Sequence, residues 1–280
     1  MKAAIFDYVR PKNLTAGLEA LSDQSAGIVK VMGGSQSLGP MLNLRLARPN
    51  KVVDVSGFPE MQQVVEDGNW LVVGASITHS QIEDGIFPQL RGSLLSEVAP
   101  QIAYRAIRNR GTIGGSLAHA DPAADWVLVA FALGAEVELQ SSRGKRRLSM
   151  PEFMLGAYTT ALAEDELISA VRLPRLGQRA VWGYHKLCRK TGEFAEASCC
   201  AVFDPDRGLA RIVLGALDGP PSLLGELSVD VAKRGVEALG EEALVNAATS
   251  VTPGKDPVDR QLCITALRRC LHSIFKESKA

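Results

Sequence analysis

Apolar residues recur along the first part of the chain in short β-branched runs separated by helical spacings. Ala3 to Tyr8 is a strand candidate, and Ala16, Leu18, Ala20 and Leu21 mark a helix that Thr15 is placed to cap. Ile28 to Met32 and Val52 to Val55 are further strand-like runs, so the pattern predicts a β-α-β unit ahead of Phe58. From Met61 to Gly74 the runs QQVV and WLVVG flank Glu66, Asp67, Gly68 and Asn69, the turn chemistry of a hairpin. Thr78 opens a short helix toward Asp84. Between Pro88 and Tyr104, Leu90, Leu94, Leu95, Val98 and Ile102 fall at helical intervals and predict one amphipathic helix.

Pro122 suits the first turn of a helix, and the apolar run AADWVLVAFALGA predicts that this helix is buried and ends near Gly134. AEVEL then reads as a strand. Ser149 and Glu152 form a capping box, with Pro151 between them, for a helix over MPEFMLGAY, and Glu166 to Leu173 alternates as a strand that stops at Pro174. Beyond Pro174, Ala180 to Cys188, Ala197 to Phe203 and Leu209 to Leu217 are three strand-like runs. The chain from Leu227 onward is helical, broken at Pro253 and Pro257. These elements predict an α+β fold in three parts, residues 1–57, 58–175 and 176–280, the last a three-stranded sheet backed by helices.

Composition narrows the function classes. The 280 residues carry 31 basic and 31 acidic side chains, which leaves no broad basic footprint for nucleic acid. The one basic cluster, Arg143 to Arg147, sits between two strand-like runs and reads as a solvated hairpin turn. No apolar run approaches a membrane span and the N-terminus has no signal-peptide core, so a cytoplasmic protein without an integral membrane segment is expected. Cys188, Cys199, Cys200, Cys263 and Cys270 include no CxxC pair and read as free thiols.

Two glycine-bearing stretches stand out as candidate chemistry. Gly33 to Pro49, GGSQSLGPMLNLRLARP, follows a strand-like run and leads into an apolar helical turn, an order that presents consecutive N–H groups to a phosphate. In RGTIGGSLAHADPAAD, Arg110 to Asp125, Gly114 and Gly115 lie between the hydroxyls of Thr112 and Ser116. Taken alone, such a Gly-Gly pair is as compatible with a tight turn as with a loop at positive φ offering bare N–H groups to a ligand. Neither the GxGxxG nor the GxxxxGK fingerprint is present. His119, Asp121 and Asp125 straddle a helix start where Asp121 suits a cap, and their spacing is poor for a metal shell. His79, His185 and His272 are scattered without a catalytic grouping.

Both stretches resemble segments of the FAD-binding medium subunits of molybdenum hydroxylases, AGGQSLxPxMxLRLA for the first and RNxGTIGGSLAHADPAAD for the second. In the first, Ser35 stands where a second glycine is usual. The resemblance implies a two-part FAD-binding domain of the vanillyl-alcohol-oxidase (PCMH) type followed by a small C-terminal domain. It implies FAD held non-covalently by Met32, Gly33, Gly34, Ser35, Gln36, Ser37 and Leu38 and by Thr112, Ile113, Gly114, Gly115 and Ser116. Asp125 is implied as an acceptor for the ribityl or adenosine part and Ile168 as an apolar flavin-lining residue. Tyr184 to Ala195 resembles K-x-x-R-R/K-x-x-D-x-A, which implies Lys186 as a flavin contact and Phe194 near the isoalloxazine, with Glu193 in place of the usual aspartate. No residue is then a substrate acid or base. The molybdenum cofactor and two-iron two-sulfur clusters are implied on a large and a small partner subunit, in a dimer of heterotrimers, where this chain passes electrons from the clusters to an outside acceptor. A stand-alone FAD oxidoreductase of the vanillyl-alcohol-oxidase fold is the alternative.

Overall fold

The computed structural model describes residues 2–23, 25 and 27–276. Its first sheet has three parallel strands, Asp7–Val9, Lys51–Asp54 and Val29–Met32 in spatial order. The first strand is shorter than the expected Ala3 to Tyr8, because only Asp7 to Val9 find partners along the central strand. The helix Leu14–Ser22 turns Leu18 and Leu21 inward. Its cap is Asn13 and not Thr15: Asn13 is extended and its Oδ1 accepts the Ala16 N–H at 3.0 Å, while Thr15 already lies inside the helix.

The second sheet is antiparallel, in the order Val64–Asp67, Trp70–Gly74, Leu167–Pro174, Glu136–Ser141, Gly144–Ser149. The hairpin after Met61 forms as its turn residues predict. The basic cluster lies mostly in a strand: Gly144 makes the turn, and Lys145, Arg146 and Arg147 line the exposed edge strand. There Glu138 and Glu166 take their charges, and such a charged edge resists pairing with other chains.

Two expected helices break. The Pro88 to Tyr104 stretch is a succession of short turns, Pro88–Leu90, Leu94–Val98 and Ala99–Gln101. Gly92 sits at φ +65° and Ser93 starts a fresh helix with its own cap, so Leu90, Leu94, Leu95 and Val98 are buried without being on one continuous helix. The capping box of Ser149 and Glu152 is present, but its helix covers only Met150–Phe153. The following residues form a small ribbon, Met154–Gly156 against Thr159–Thr160.

The third sheet has four antiparallel strands, Val181–Leu187, Ala197–Asp204, Leu209–Gly215 and Ser222–Leu223. The fourth, at two residues, is too short to leave a period in the sequence. Every residue of Ala197–Asp204 is buried because both faces are covered. Cys200, Val202 and Val213 join the core that holds the helix Asp125–Leu133, while Cys199, Ala201, Ile212 and Leu214 join the core of the C-terminal helices Gly225–Arg234, Glu241–Ser250 and Pro257–Lys276. The helix Asp125–Leu133 is buried at every position, as its unbroken apolar run requires. It starts three residues later than expected: Pro122 lies in a turn closed by the Ala123 N–H onto Asp121 Oδ1 at 2.9 Å, and Ala124 is the N-cap. The five cysteines are free thiols.

Candidate FAD-binding site

The first glycine stretch leaves the parallel sheet at Met32, which pairs with Asp54, and reaches the helix Leu38–Asn43 through five residues. Ser35 adopts φ +63°, the left-handed region that a serine enters only at some steric cost. Gln36 Nε2 donates to the Gly34 carbonyl at 2.8 Å and braces the turn. Among the described residues, the N–H groups of Gly34, Ser35, Gln36 and Ser37 donate to no protein acceptor. Four successive open amides form an anion-seeking concavity.

The second stretch is built differently. Thr112 is the N-cap of the helix Ile113–His119, and its Oγ1 accepts the Gly115 N–H at 3.1 Å. Ile113 donates to the Ile77 carbonyl, Gly114 to the Ala75 carbonyl at 2.9 Å and Ser116 to the Thr112 carbonyl. Gly114 and Gly115 are helical and not at positive φ, and their N–H groups are not bare, which corrects the loop expected there. Their lack of a side chain serves close packing. A Cβ on Gly114 would overlap Ala75, with the Ala75 carbonyl oxygen at 2.8 Å, and one on Gly115 would stand 2.8 Å from Thr112 Oγ1.

The two stretches meet. A Cβ on Gly34 would overlap the Arg110 carbonyl and stand 2.8 Å from Gly111 Cα, and one on Gly33 would stand 2.9 Å from Thr112 Oγ1. Beneath this junction lies His79, whose N–H donates to the Gly111 carbonyl at 2.9 Å. Its Nδ1 accepts the Trp126 indole N–H at 2.9 Å, and its Nε2 lies 2.7 Å from where a Gly111 Cβ would be. Burial, helped by the nearby Arg108 charge, pushes the imidazole down to about 4, so it is neutral at pH 7. His79 was visible in the sequence only as one scattered histidine; its place directly after the capping Thr78 was the sole local signal.

Asp125 and Lys186 form a second cluster. The strand Val181–Leu187 delivers Lys186 Nζ to within 2.8 Å of Asp125 Oδ1 and 2.8 Å of the Gln101 carbonyl, and Tyr184 donates its hydroxyl to the same Asp125 oxygen. Both members of the ion pair are under a tenth exposed. Burial, then the Asp125 charge, holds the Tyr184 phenol well above its usual range, so it stays a donor. Asp125 Oδ2 receives no protein donor among the described residues.

Ile168 is buried in the strand against which the helix Ile113–His119 packs, beside a bulge, and the adjacent Ser169 carbonyl accepts the Ala75 N–H. Phe194 is exposed on the turn after Lys186. Asp121, expected as a helix cap, instead closes the Pro122 turn. The helix Ile113–His119 ends on Ala120 at φ +52°, whose carbonyl accepts the Tyr158 N–H at 2.8 Å.

A dinucleotide flavin asks for donors to its phosphates and close backbone approach. The open amides from Gly34 to Ser37, seated on Arg110 to Thr112, fit that demand. Residues 4–176 match the family described as FAD binding domain in molybdopterin dehydrogenase. The chain belongs to that family, the FAD-binding medium subunits of the molybdenum hydroxylases. Among curated relatives, it is 37% identical to the carbon monoxide dehydrogenase medium chain of Hydrogenophaga pseudoflava, over 70% of this chain and 68% of that one. It is 35% identical to the caffeine dehydrogenase subunit beta of Pseudomonas sp. (strain CBB1), over 79% of this chain and 76% of the relative. Among solved structures, quinoline 2-oxidoreductase from Pseudomonas putida 86 superposes with TM-score 0.86 at 28% identity, covering 100% of both chains. Carbon monoxide dehydrogenase from Hydrogenophaga pseudoflava does so with TM-score 0.88 at 30% identity, covering 99% of both. No helix among the described residues is long and apolar enough to cross a membrane.

Proposed function

We propose that this chain is the flavin-bearing electron-transfer subunit of a heteromeric molybdenum hydroxylase. It takes electrons from iron–sulfur clusters on a small partner chain, downstream of a molybdenum-bearing large chain, and hands them to an outside acceptor. The observation that carries this reading is the run of open amides at Gly34, Ser35, Gln36 and Ser37, held against the Arg110 to Thr112 backbone. FAD, when bound, supplies the capacity to collect electrons singly and release them in pairs.

The chain's own residues bind and orient. The Gly34 to Ser37 amides hold the pyrophosphate, with Met32, Gly33 and Leu38 shaping the turn from either side. Thr112, Ile113, Gly114, Gly115 and Ser116 set the wall against which that turn is pressed. The Asp125 Oδ2 oxygen is an open acceptor for a cofactor hydroxyl and Lys186 places a positive charge beside it; the buried Ile168 and the exposed Phe194 are the residues that would border the ring of a bound flavin. In this reading residues 1–57 and 58–175 are the two halves of a vanillyl-alcohol-oxidase (PCMH) type FAD domain, and residues 176–280 form a C-terminal domain. The assembly is a dimer of heterotrimers in the cytoplasm.

The test is acid release from the purified chain, which yields free FAD, together with co-purification of a molybdenum-bearing large chain and a cysteine-rich small chain. In the whole complex, rapid mixing with substrate reduces the flavin after the iron–sulfur centres. A chain that yields FMN or no flavin overturns the reading. An isolated chain whose flavin is reduced directly by an organic substrate makes it a stand-alone oxidoreductase.

A further inference from the structure

Lys186 reaches both flanks of the second glycine stretch. Its ammonium donates to the Gln101 carbonyl, before the stretch, and to Asp125, the last residue of it, each at 2.8 Å, from a strand that belongs to the C-terminal sheet. The upstream flank is stiff from Gln101 onward. Arg108 Nη1 donates back to the Ile102 carbonyl at 2.9 Å and the Ala103 carbonyl at 2.8 Å, while Nε and Nη2 form a two-pronged pair with Glu83. Gly111 N–H then closes on the Ile107 carbonyl at 2.7 Å, and the Arg110 carbonyl is the surface on which Gly34 sits. Ala103 is held at φ +43°, a conformation an alanine adopts only where its surroundings impose it. Its carbonyl is held by Arg108 on one side and lies against Gly192, on the turn between the first two strands of the C-terminal sheet, where a Cβ would stand 2.7 Å away. From the same sheet the Trp182 indole donates to Glu97 at 2.8 Å.

We propose that Lys186 is a positioning residue, a clasp through which the C-terminal domain sets the seat of the first glycine turn by fixing Gln101 and Asp125 together. Its importance for flavin binding rests on the function proposed above, but the clasp itself is a property of the chain without cofactor. A lysine acting only as a cofactor contact has no effect until the cofactor is present. A clasp orders the Gln101 to Gly114 backbone beforehand.

The experiment is amide hydrogen exchange on the full-length chain stripped of flavin, comparing the native protein with Lys186→Met. The clasp predicts that the amides of Asn109, Gly111 and Gly114 exchange at least about tenfold faster in the variant, while the strand Leu167–Pro174 is unchanged. Because Lys186→Met leaves a buried carboxylate unpaired, the double variant Lys186→Met/Asp125→Asn provides a second measurement with the same expected local loss. Lys186→Arg, which still donates to both oxygens, restores protection. Gly192→Ala keeps the Lys186 side chain, strains its own turn at φ +89° and pushes on the Ala103 carbonyl; it speeds the same amides and shifts the visible band of added FAD in the same direction as Lys186→Met. Unchanged exchange in the flavin-free variants overturns the clasp and leaves Lys186 a direct contact alone. Acceleration spread evenly over all three sheets also overturns it. If no form binds FAD, the functional reading fails while the exchange result still decides the clasp.

Discussion

The two glycine stretches use the same residue for opposite purposes. Between Gly33 and Ser37 the backbone keeps its donors unspent, and the one residue at positive φ is a serine. Between Thr112 and Ser116 the donors are spent on Ala75, Ile77 and Thr112, and the glycines allow a helix to press against its neighbours. One stretch is a receptor for charge and the other is the wall behind it. A glycine pair therefore says that backbone comes close to something, and only the tertiary structure says whether that something is a ligand or the protein itself.

The largest effect expected from breaking this comparison is at Gly34. Alanine there overlaps the Arg110 carbonyl, and backbone on both sides leaves no flexible atom to yield. Gly34→Ala costs about 3 kcal/mol of stability and abolishes FAD retention, checked by urea unfolding and flavin titration. Retained affinity would show that the two stretches do not need to touch.

A similar magnitude is expected from pH, acting through His79 below the junction. The unfolded chain takes up the imidazole proton first, because the folded value of about 4 lies below the ordinary 6.5. The stability that neutral His79 contributes is complete above pH 6.5 and is lost as pH falls toward 4, about 3 kcal/mol in all. Protonation of the folded protein removes the acceptor for Trp126, so its indole fluorescence shifts only at the acid end of that window, centred near pH 4. His79→Asn flattens the dependence between those limits; an unchanged slope would mean that the imidazole is not the group responsible.

Gly114→Ala probes the wall. Helical propensity favours alanine there by about 1 kcal/mol, but overlap with Ala75 outweighs it, for a net loss of about 1 to 2 kcal/mol. The partner change Ala75→Gly recovers part of that loss in a double-mutant cycle. Since the Gly114 amide is already spent, FAD affinity falls only as far as the wall is displaced, less than for Gly34→Ala. Equal losses of affinity at the two positions would erase the distinction between receptor and wall.

The smallest effect is at Ser35. Glycine relieves the positive-φ penalty but loses more backbone freedom on folding, for a net gain of about 0.5 kcal/mol in thermal unfolding with FAD binding retained. Ser35→Val moves stability and affinity in the opposite direction, because a β-branched residue is poorly suited to that region.

Read alone, the chain determined a good deal. The run over Asp125–Leu133 reports burial directly, since solvent-facing positions there would have to be polar. The alternation before Pro174 located a strand but not its burial: Ser169 and Arg172 are as buried as their apolar neighbours. The helix start at Thr78 and the capping box at Ser149 are likewise local, closed within a few residues. The two motifs, at Gly33 to Pro49 and Arg110 to Asp125, were legible as backbone approaching something closely. Tertiary structure alone decided what is approached. Nothing near Gly114 in sequence announces Ala75, nothing near Gly34 announces Arg110, and the helical period between Pro88 and Tyr104 hid its own breaks because buried turns and buried helices select the same apolar residues. The pairing of Lys186 with Asp125 and Gln101 joins residues far apart in the chain. Its cause is the buried ammonium's need for acceptors, which only the fold supplies, by bringing the end of strand Val181–Leu187 to Asp125 at the start of its helix and to the Gln101 carbonyl.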